Sequence, residues 1–182
     1  SLMYSSGLRR AEVVALDLDD LNLKKGELSV IGKRNKERKA FLAKGAVRAI
    51  EKWLDCRGLE AGPLFYSVNK GENIVRYRNE RLSKEARRAG VMPKRIVARL
   101  SDQTIYHLIQ KRATQAGLVK NATPHDMRRT FVSDLLDVGV DLATVSKMAG
   151  HEDTNTTKRY DRRSSRVMQE AAEKLEVPYP KE

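Results

Sequence analysis

Thr123-Pro124-His125-Asp126-Met127-Arg128-Arg129-Thr130-Phe131 opens a helix and sets a histidine and an arginine on one of its faces. Threonine caps the free N–H groups of a helix start, and proline suits the first helical position because it has no N–H to lose. The apolar series Met127, Phe131, Leu135, Val138 continues at near-helical spacing, until Gly139 ends it. His125 and Arg128, three apart, project from the same side. Asp141 then caps a second helix over Leu142–Ala149, which Gly150 terminates. His151 comes directly after that glycine, and Tyr160 stands nine positions further on.

Toward the N-terminus, Ser101 caps a helix running through Ile105, Leu108, Ile109 and Ala113 to Gly117. Residues 27–31 and 39–42 are two short strand-like runs around residues 32–38, which reads as a β-hairpin with a basic tip. Residues 46–54 repeat apolar side chains at helical spacing, and Gly58, Gly62 and Pro63 punctuate the segment after them. Residues 62–67 suggest a third strand, whereas 68–100 are polar, basic and too weakly periodic to assign. Residues 6–16 read as one helix with Ser5 or Ser6 as its cap, and 164–175 as a tail helix ending before Pro178. The expected fold is α+β, mainly helical, with a small antiparallel sheet near the N-terminal side.

The 182 residues are 40% hydrophobic and 33% charged, enough apolar material for one globular core. Formal net charge is +12, a field that attracts a polyanion, with nucleic acid the leading candidate. The excess is concentrated: residues 24–48 and 76–99 each carry nine positive against two negative groups. Such stripes suit phosphate contacts. Cys56 is the only cysteine, which excludes an intrachain disulfide, and three histidines with one cysteine are too few for a zinc site. With no phosphate-loop pattern either, neither metal nor nucleotide cofactor is expected. No apolar run approaches the roughly 18 residues of a membrane span, so the protein reads as cytoplasmic with no membrane partner. The abrupt opening at Ser1-Leu2-Met3-Tyr4 leads us to expect a further domain upstream in the full-length protein.

Taken singly, the reactive residues have ordinary roles: arginines in first helical turns are solvated, and tyrosines pack their rings. Their order changes that. Gly7-Leu8-Arg9-Arg10-Ala11-Glu12, the hairpin lysines, His125-Asp126-Met127-Arg128, Gly150-His151 and Thr156-Thr157-Lys158-Arg159-Tyr160 resemble, in sequence order, the motifs of the tyrosine recombinase (phage integrase) family. The resemblance covers residues 3–160. It implies a catalytic domain over 1–163, with the upstream core-binding domain absent from this chain. It also implies a site-specific DNA recombinase of the kind carried by mobile elements, acting through a 3′-phosphotyrosine on double-stranded DNA.

By that resemblance Arg9 and Arg128 clamp the scissile phosphate, His125 is the candidate base, Tyr160 is the nucleophile and His151 donates to a non-bridging oxygen. Lys33 protonates the leaving 5′ oxygen, although Lys36 in the same loop is open to the same role. Arg34, Lys36, Arg38 and Arg129 are candidate DNA contacts. Glu12 and Asp126 either orient the arginine and histidine side chains or serve as caps and solvated groups. The family pattern further implies a monomer that becomes a homo-tetramer on DNA. Residues 164–182 would contact a neighbouring protomer there, or fold back on their own domain. A type IB topoisomerase-like relaxing activity and a non-catalytic DNA-binding module are the alternative readings.

Overall fold

Two short helices stand where the sequence predicts one: α1 (Leu2–Ser6) and α2 (Arg10–Ala15). Gly7 separates them in the left-handed region at φ +60°, and a Cβ there would collide with the Phe131 ring. The chain therefore breaks where a helix must pass close by, and only glycine fits both demands. The computed structural model describes residues 1–32, 35–71, 73–118, 122–151, 153–161, 169 and 172–174.

After a 3₁₀ turn (Leu18–Asp20), β1 (Leu21–Asn22), β2 (Glu27–Ile31) and β3 (Glu37–Phe41) form an antiparallel sheet in that order. The β2–β3 register pairs Leu28 with Ala40 and Val30 with Arg38. Since side chains alternate across a strand, Arg38 shares the inner face with the buried Leu28, Val30 and Ala40. β3 begins two residues earlier than the sequence suggested, because the Gly32 N–H donates to the Lys36 carbonyl at 2.8 Å and narrows the tip.

In α3 (Lys44–Arg57) the last residue is fully buried. The Arg57 guanidinium donates to the carbonyls of Gly58, Glu60, Gly62 and Pro63. Those of Gly62 and Pro63 are thereby occupied. The Gly62 carbonyl also accepts the Leu18 N–H at 2.9 Å, and the third strand expected over 62–67 is reduced to isolated bridges, Asp17 with Pro63 and Tyr66 with Arg99, and to the two-residue β4 (Ser67–Val68). The unassigned basic stretch contains β5 (Ile74–Val75), β6 (Tyr77–Asn79), α4 (Lys84–Arg88) and β7 (Arg95–Val97), pairing as the ribbons β4–β5 and β6–β7.

The C-terminal half is helical, with α5 (Asp102–Gln115), α6 (Pro124–Asp137), α7 (Leu142–Ala149) and the unforeseen α8 (Thr154–Lys158). Ser101, Thr123 and Asp141 cap α5, α6 and α7 through their side chains, and Gly150 ends α7 in the left-handed region. The tail helix expected over 164–175 lies outside the described residues apart from 169 and 172–174.

Buried side chains form two clusters. One joins α1, α2, the sheet, α3 and α5 through Leu8, Val13, Leu28, Val30, Ile50 and Ile105. The other holds α6 against α7 through Phe131, Val132, Leu136, Val145 and Ala149, with the Tyr160 ring packed on its edge. α1 packs on α6 and so ties the two together. No helix among the described residues is long and apolar enough to cross a membrane.

Candidate active site

Each wall of the site is positioned by a helix end. On one wall Arg9 occupies the N-cap of α2, and its backbone N–H donates to Glu12 Oε2 at 2.8 Å. Its guanidinium donates through Nη1 to Glu12 Oε1 at 2.8 Å and through Nη2 to the Gly150 carbonyl at 3.2 Å. Glu12 is only 6% exposed and also accepts Arg38 Nη2 at 3.0 Å. One buried carboxylate therefore orients two arginines, and Glu12 is an orienting group rather than a solvated one.

The opposite wall is the first turn and a half of α6. Pro124 fills the first position, which leaves His125 exposed at the pocket mouth and Arg128 one turn below, 4% exposed. Arg128 Nη1 donates to the Gly7 carbonyl at 2.5 Å, a bond made possible by the close passage of α6 at the Gly7 break. Burial, reinforced by the nearby Arg9 and Arg38 charges, pushes the Arg128 guanidinium down to about 10, still a cation at neutral pH. Asp126 accepts the Thr123 N–H and hydroxyl at 2.9 and 2.7 Å, and those bonds hold its carboxyl below the usual range. Asp126 is thus a helix cap; it lies 3.8 Å from Arg129.

His151 enters from the end of α7. With Gly150 left-handed, the His151 N–H turns back to the Ser146 carbonyl at 3.0 Å and the imidazole points into the seam. Its Nδ1 lies 2.8 Å from the hydroxyl of Thr157, which is fully buried on α8. Burial first, then Arg128, Arg9, His125 and Arg38, push the ring down to about 4, so it is neutral at pH 7. Gly150 has a second constraint, since a Cβ there would come within 2.5 Å of Arg38 Nε. Arg38, expected to touch DNA, is 15% exposed and passes beneath Gly150 toward Glu12. The alternation that buries Ala40 two residues later was the available signal for this direction.

Tyr160 closes the set just after α8. Its hydroxyl lies 3.3 Å from His125 Nε2, long for a hydrogen bond but within the slack common before substrate binds. The Arg129 guanidinium stands 5.6 Å over its ring. His125 also lines, with Arg9, Arg10, Tyr106, Thr123 and Arg128, a pocket of about 310 Å³. Tyr106 and Arg10 carried no signal as site residues; Arg10 meets Asp102 at 3.3 Å and ties α2 to α5. Lys36 is exposed at the hairpin tip, whereas Lys33 and Arg34 lie outside the described residues.

The structure thus brings together Arg9, His125, Arg128, His151 and Tyr160 from segments up to about 150 residues apart. Three buried guanidinium nitrogens, Nη2 of Arg128 with Nε and Nη1 of Arg38, have no hydrogen-bond partner among the described residues. Among those residues no three His, Cys, Asp or Glu side chains cluster as a metal site.

This fold is the one that recombinase structures share. The chain belongs to the phage integrase family, whose sequence profile matches residues 1–166. It is 33% identical to the tyrosine recombinase XerC of Pelobacter propionicus, with 99% of this chain and 53% of that protein covered. It is 33% identical to the tyrosine recombinase XerD of Listeria monocytogenes over 87% of this chain and 47% of the other. The chain therefore spans about half the length of the relatives it matches. Among solved structures it resembles the XerA recombinase, with TM-score 0.68, 23% identity, and 98% of this chain and 57% of that one covered. It also resembles the XerH site-specific recombinase bound to a difH substrate, with TM-score 0.64, 23% identity, and 96% and 45% covered.

Proposed function

We propose that this chain is the catalytic part of a site-specific recombinase that breaks and rejoins double-stranded DNA through Tyr160. The observation that carries this reading is the Tyr160 hydroxyl 3.3 Å from Nε2 of His125, a histidine that lines one pocket together with Arg9 and Arg128. The Tyr160 oxygen attacks phosphorus, and its proton passes to His125. The bond from phosphorus to the 5′ oxygen breaks, and a hairpin lysine supplies the proton that the leaving oxygen needs. Arg9, Arg128 and His151 hold the non-bridging oxygens while charge builds on them. Attack by a 5′-hydroxyl of another strand reverses each step. The ester keeps the bond energy, so no nucleotide is consumed.

XerH, one structural neighbour, is named as bound to its difH substrate before cleavage, which supports DNA as the partner here. The net charge of +12 supports it further. The relatives' names as recombinases weigh against a purely relaxing topoisomerase, and the assembled nucleophile weighs against a binding module alone. Assembly as a tetramer on DNA, with residues 164–182 bridging protomers, belongs to the same proposal.

A nicked suicide substrate tests the reading. The chain should accumulate a covalent DNA adduct, and Tyr160→Phe should form none while binding DNA with nearly unchanged affinity. An adduct on the Phe variant would show that another residue is the nucleophile.

A further inference from the structure

We infer that Thr157 is a positioning residue for strand cleavage: its hydroxyl donates to His151 Nδ1 and so holds the imidazole proton on Nε2, the nitrogen turned toward the phosphate. This rests on the proposed function, in which His151 faces the scissile phosphate. Thr157 itself makes no contact with DNA in that role.

Thr157 is fully buried, and its Oγ1 has a single hydrogen-bond partner among the described residues, His151 Nδ1 at 2.8 Å. Threonine in a helix commonly turns its hydroxyl back to the carbonyl four residues earlier, as Thr130 does to Asp126 and Thr114 to Gln110. Thr157 does not do so, and the imidazole is the acceptor it has. Two arrangements of protons are conceivable. If Nδ1 carried the ring proton and donated to Oγ1, the threonine hydrogen would be left buried without an acceptor among the described residues, which costs about 1–3 kcal/mol. If Thr157 donates, both groups are satisfied and the neutral ring must carry its proton on Nε2.

A neutral ring has one N–H, so the tautomer decides whether His151 attracts or repels an anion. An imidazolium would donate from both nitrogens, but burial of the ring and then the arginines around the site push its pKa down to about 4, so it is uncharged at pH 7. With the proton on Nε2 the ring donates to a non-bridging oxygen; with the proton on Nδ1 it would present a lone pair to that oxygen. Thr157 thus plays, with a hydroxyl, the part that a carboxylate or carbonyl plays for other functional histidines, with the opposite polarity. Its place is set by the fold: α8 packs on α7, and Thr157 lies three residues before Tyr160, so the short helix that carries the group orienting His151 leads directly into the nucleophile.

Two measurements on the full chain test this. In 15N-histidine spectra at pH 7, with His151 assigned by His151→Gln, the wild-type ring should be protonated on Nε2 alone; a proton on Nδ1 would overturn the assignment whatever the variants do. In cleavage assays under saturating DNA, Thr157→Val, which keeps the side-chain shape, should slow the chemical step about tenfold, and Thr157→Ser should restore most of it. In a His151→Ala background Thr157→Val should add no further loss, because its effect runs through His151. An equal loss in both backgrounds means that Thr157 only supports the fold, and sinks the inference. If His151→Ala itself cleaves at the wild-type rate, the phosphate-facing reading of His151 fails; the spectra report the tautomer independently, so the two failures are told apart.

Discussion

Arg9, on the α2 wall of the pocket, and Arg128, on the α6 wall, carry the same group in opposite surroundings. Arg9 is 45% exposed and has a carboxylate partner in Glu12 at 2.8 Å. Among the described residues Arg128, 4% exposed, bonds a carbonyl and no carboxylate, and its buried Nη2, with two N–H groups, is unpaired. A paired, hydrated arginine costs the fold little, whereas a buried cation without a carboxylate is held against its solvation preference. The α6 wall therefore gives up stability for a donor already aimed and already dry, and the α2 wall keeps its donor in place through Glu12. Lys36 differs from both, standing exposed at the hairpin tip, where reach rather than burial sets its use.

The largest effects should separate the two walls. Arg128→Met should reduce cleavage about a thousandfold or more, the scale expected when a preorganised donor is removed. It should leave the thermal midpoint unchanged or higher, because a desolvated charge is replaced by an apolar side chain. Arg9→Met should cost cleavage comparably but lower stability by about 1 kcal/mol, since Glu12 loses a partner inside the protein. Calorimetry beside single-turnover cleavage reads both, and equal destabilisation by the two variants would erase the distinction.

A smaller, chemically selective effect probes the hairpin. Lys33→Ala should slow cleavage of ordinary DNA yet recover most of its rate on a substrate whose leaving 5′ oxygen is replaced by sulfur. An alkyl thiolate, with a pKa of about 8.5, departs without a proton where an alkoxide does not. Arg9→Ala and Arg128→Ala should show no such rescue. Recovery of Lys36→Ala instead of Lys33→Ala would move the proton donor three residues along the loop.

The smallest effect is on stability against pH. The folded His151 ring titrates near 4 against an ordinary value of 6.5, so between these values the unfolded chain binds a proton that the folded one excludes. Stability from this residue is complete above about pH 6.5 and declines as pH falls toward 4. The aspartates with lowered carboxyls, Asp126 and Asp141, start from an ordinary value of 3.8 and act below that window. Denaturant titrations from pH 7 to 4.5 should show the decline in the wild type and a flatter profile for His151→Gln.

The local structure of α5, α6 and α7, though not of α8, was legible in the chain of residues alone, and so were the candidates Arg9, His125, Arg128, His151 and Tyr160 that the fold brings together. Thr123, Asp141 and Gly150 announce helix ends through their own hydrogen bonds or backbone conformation, so α7 spans Leu142–Ala149 as read, and α6 begins at Pro124. Capping needs only neighbours within a few residues, which is why it is legible in a string of letters. The β2–β3 pairing was legible for the same reason, through its alternation and its short loop.

Features whose partners lie far apart in the chain had to wait for the folded molecule. Gly7 breaks the first helix because Phe131 passes beside it, and of the residues expected to make a third strand two carbonyls accept the buried Arg57 guanidinium. Arg38 turns inward because the face it shares with Ala40 packs on the core, although its charge suggested a surface position. Thr157 had no mark of its own among the threonines before Tyr160, and its role depends on a ring from outside its own helix. A side chain's partner is set by packing across the whole domain, and a buried polar group takes the one acceptor the fold brings within reach.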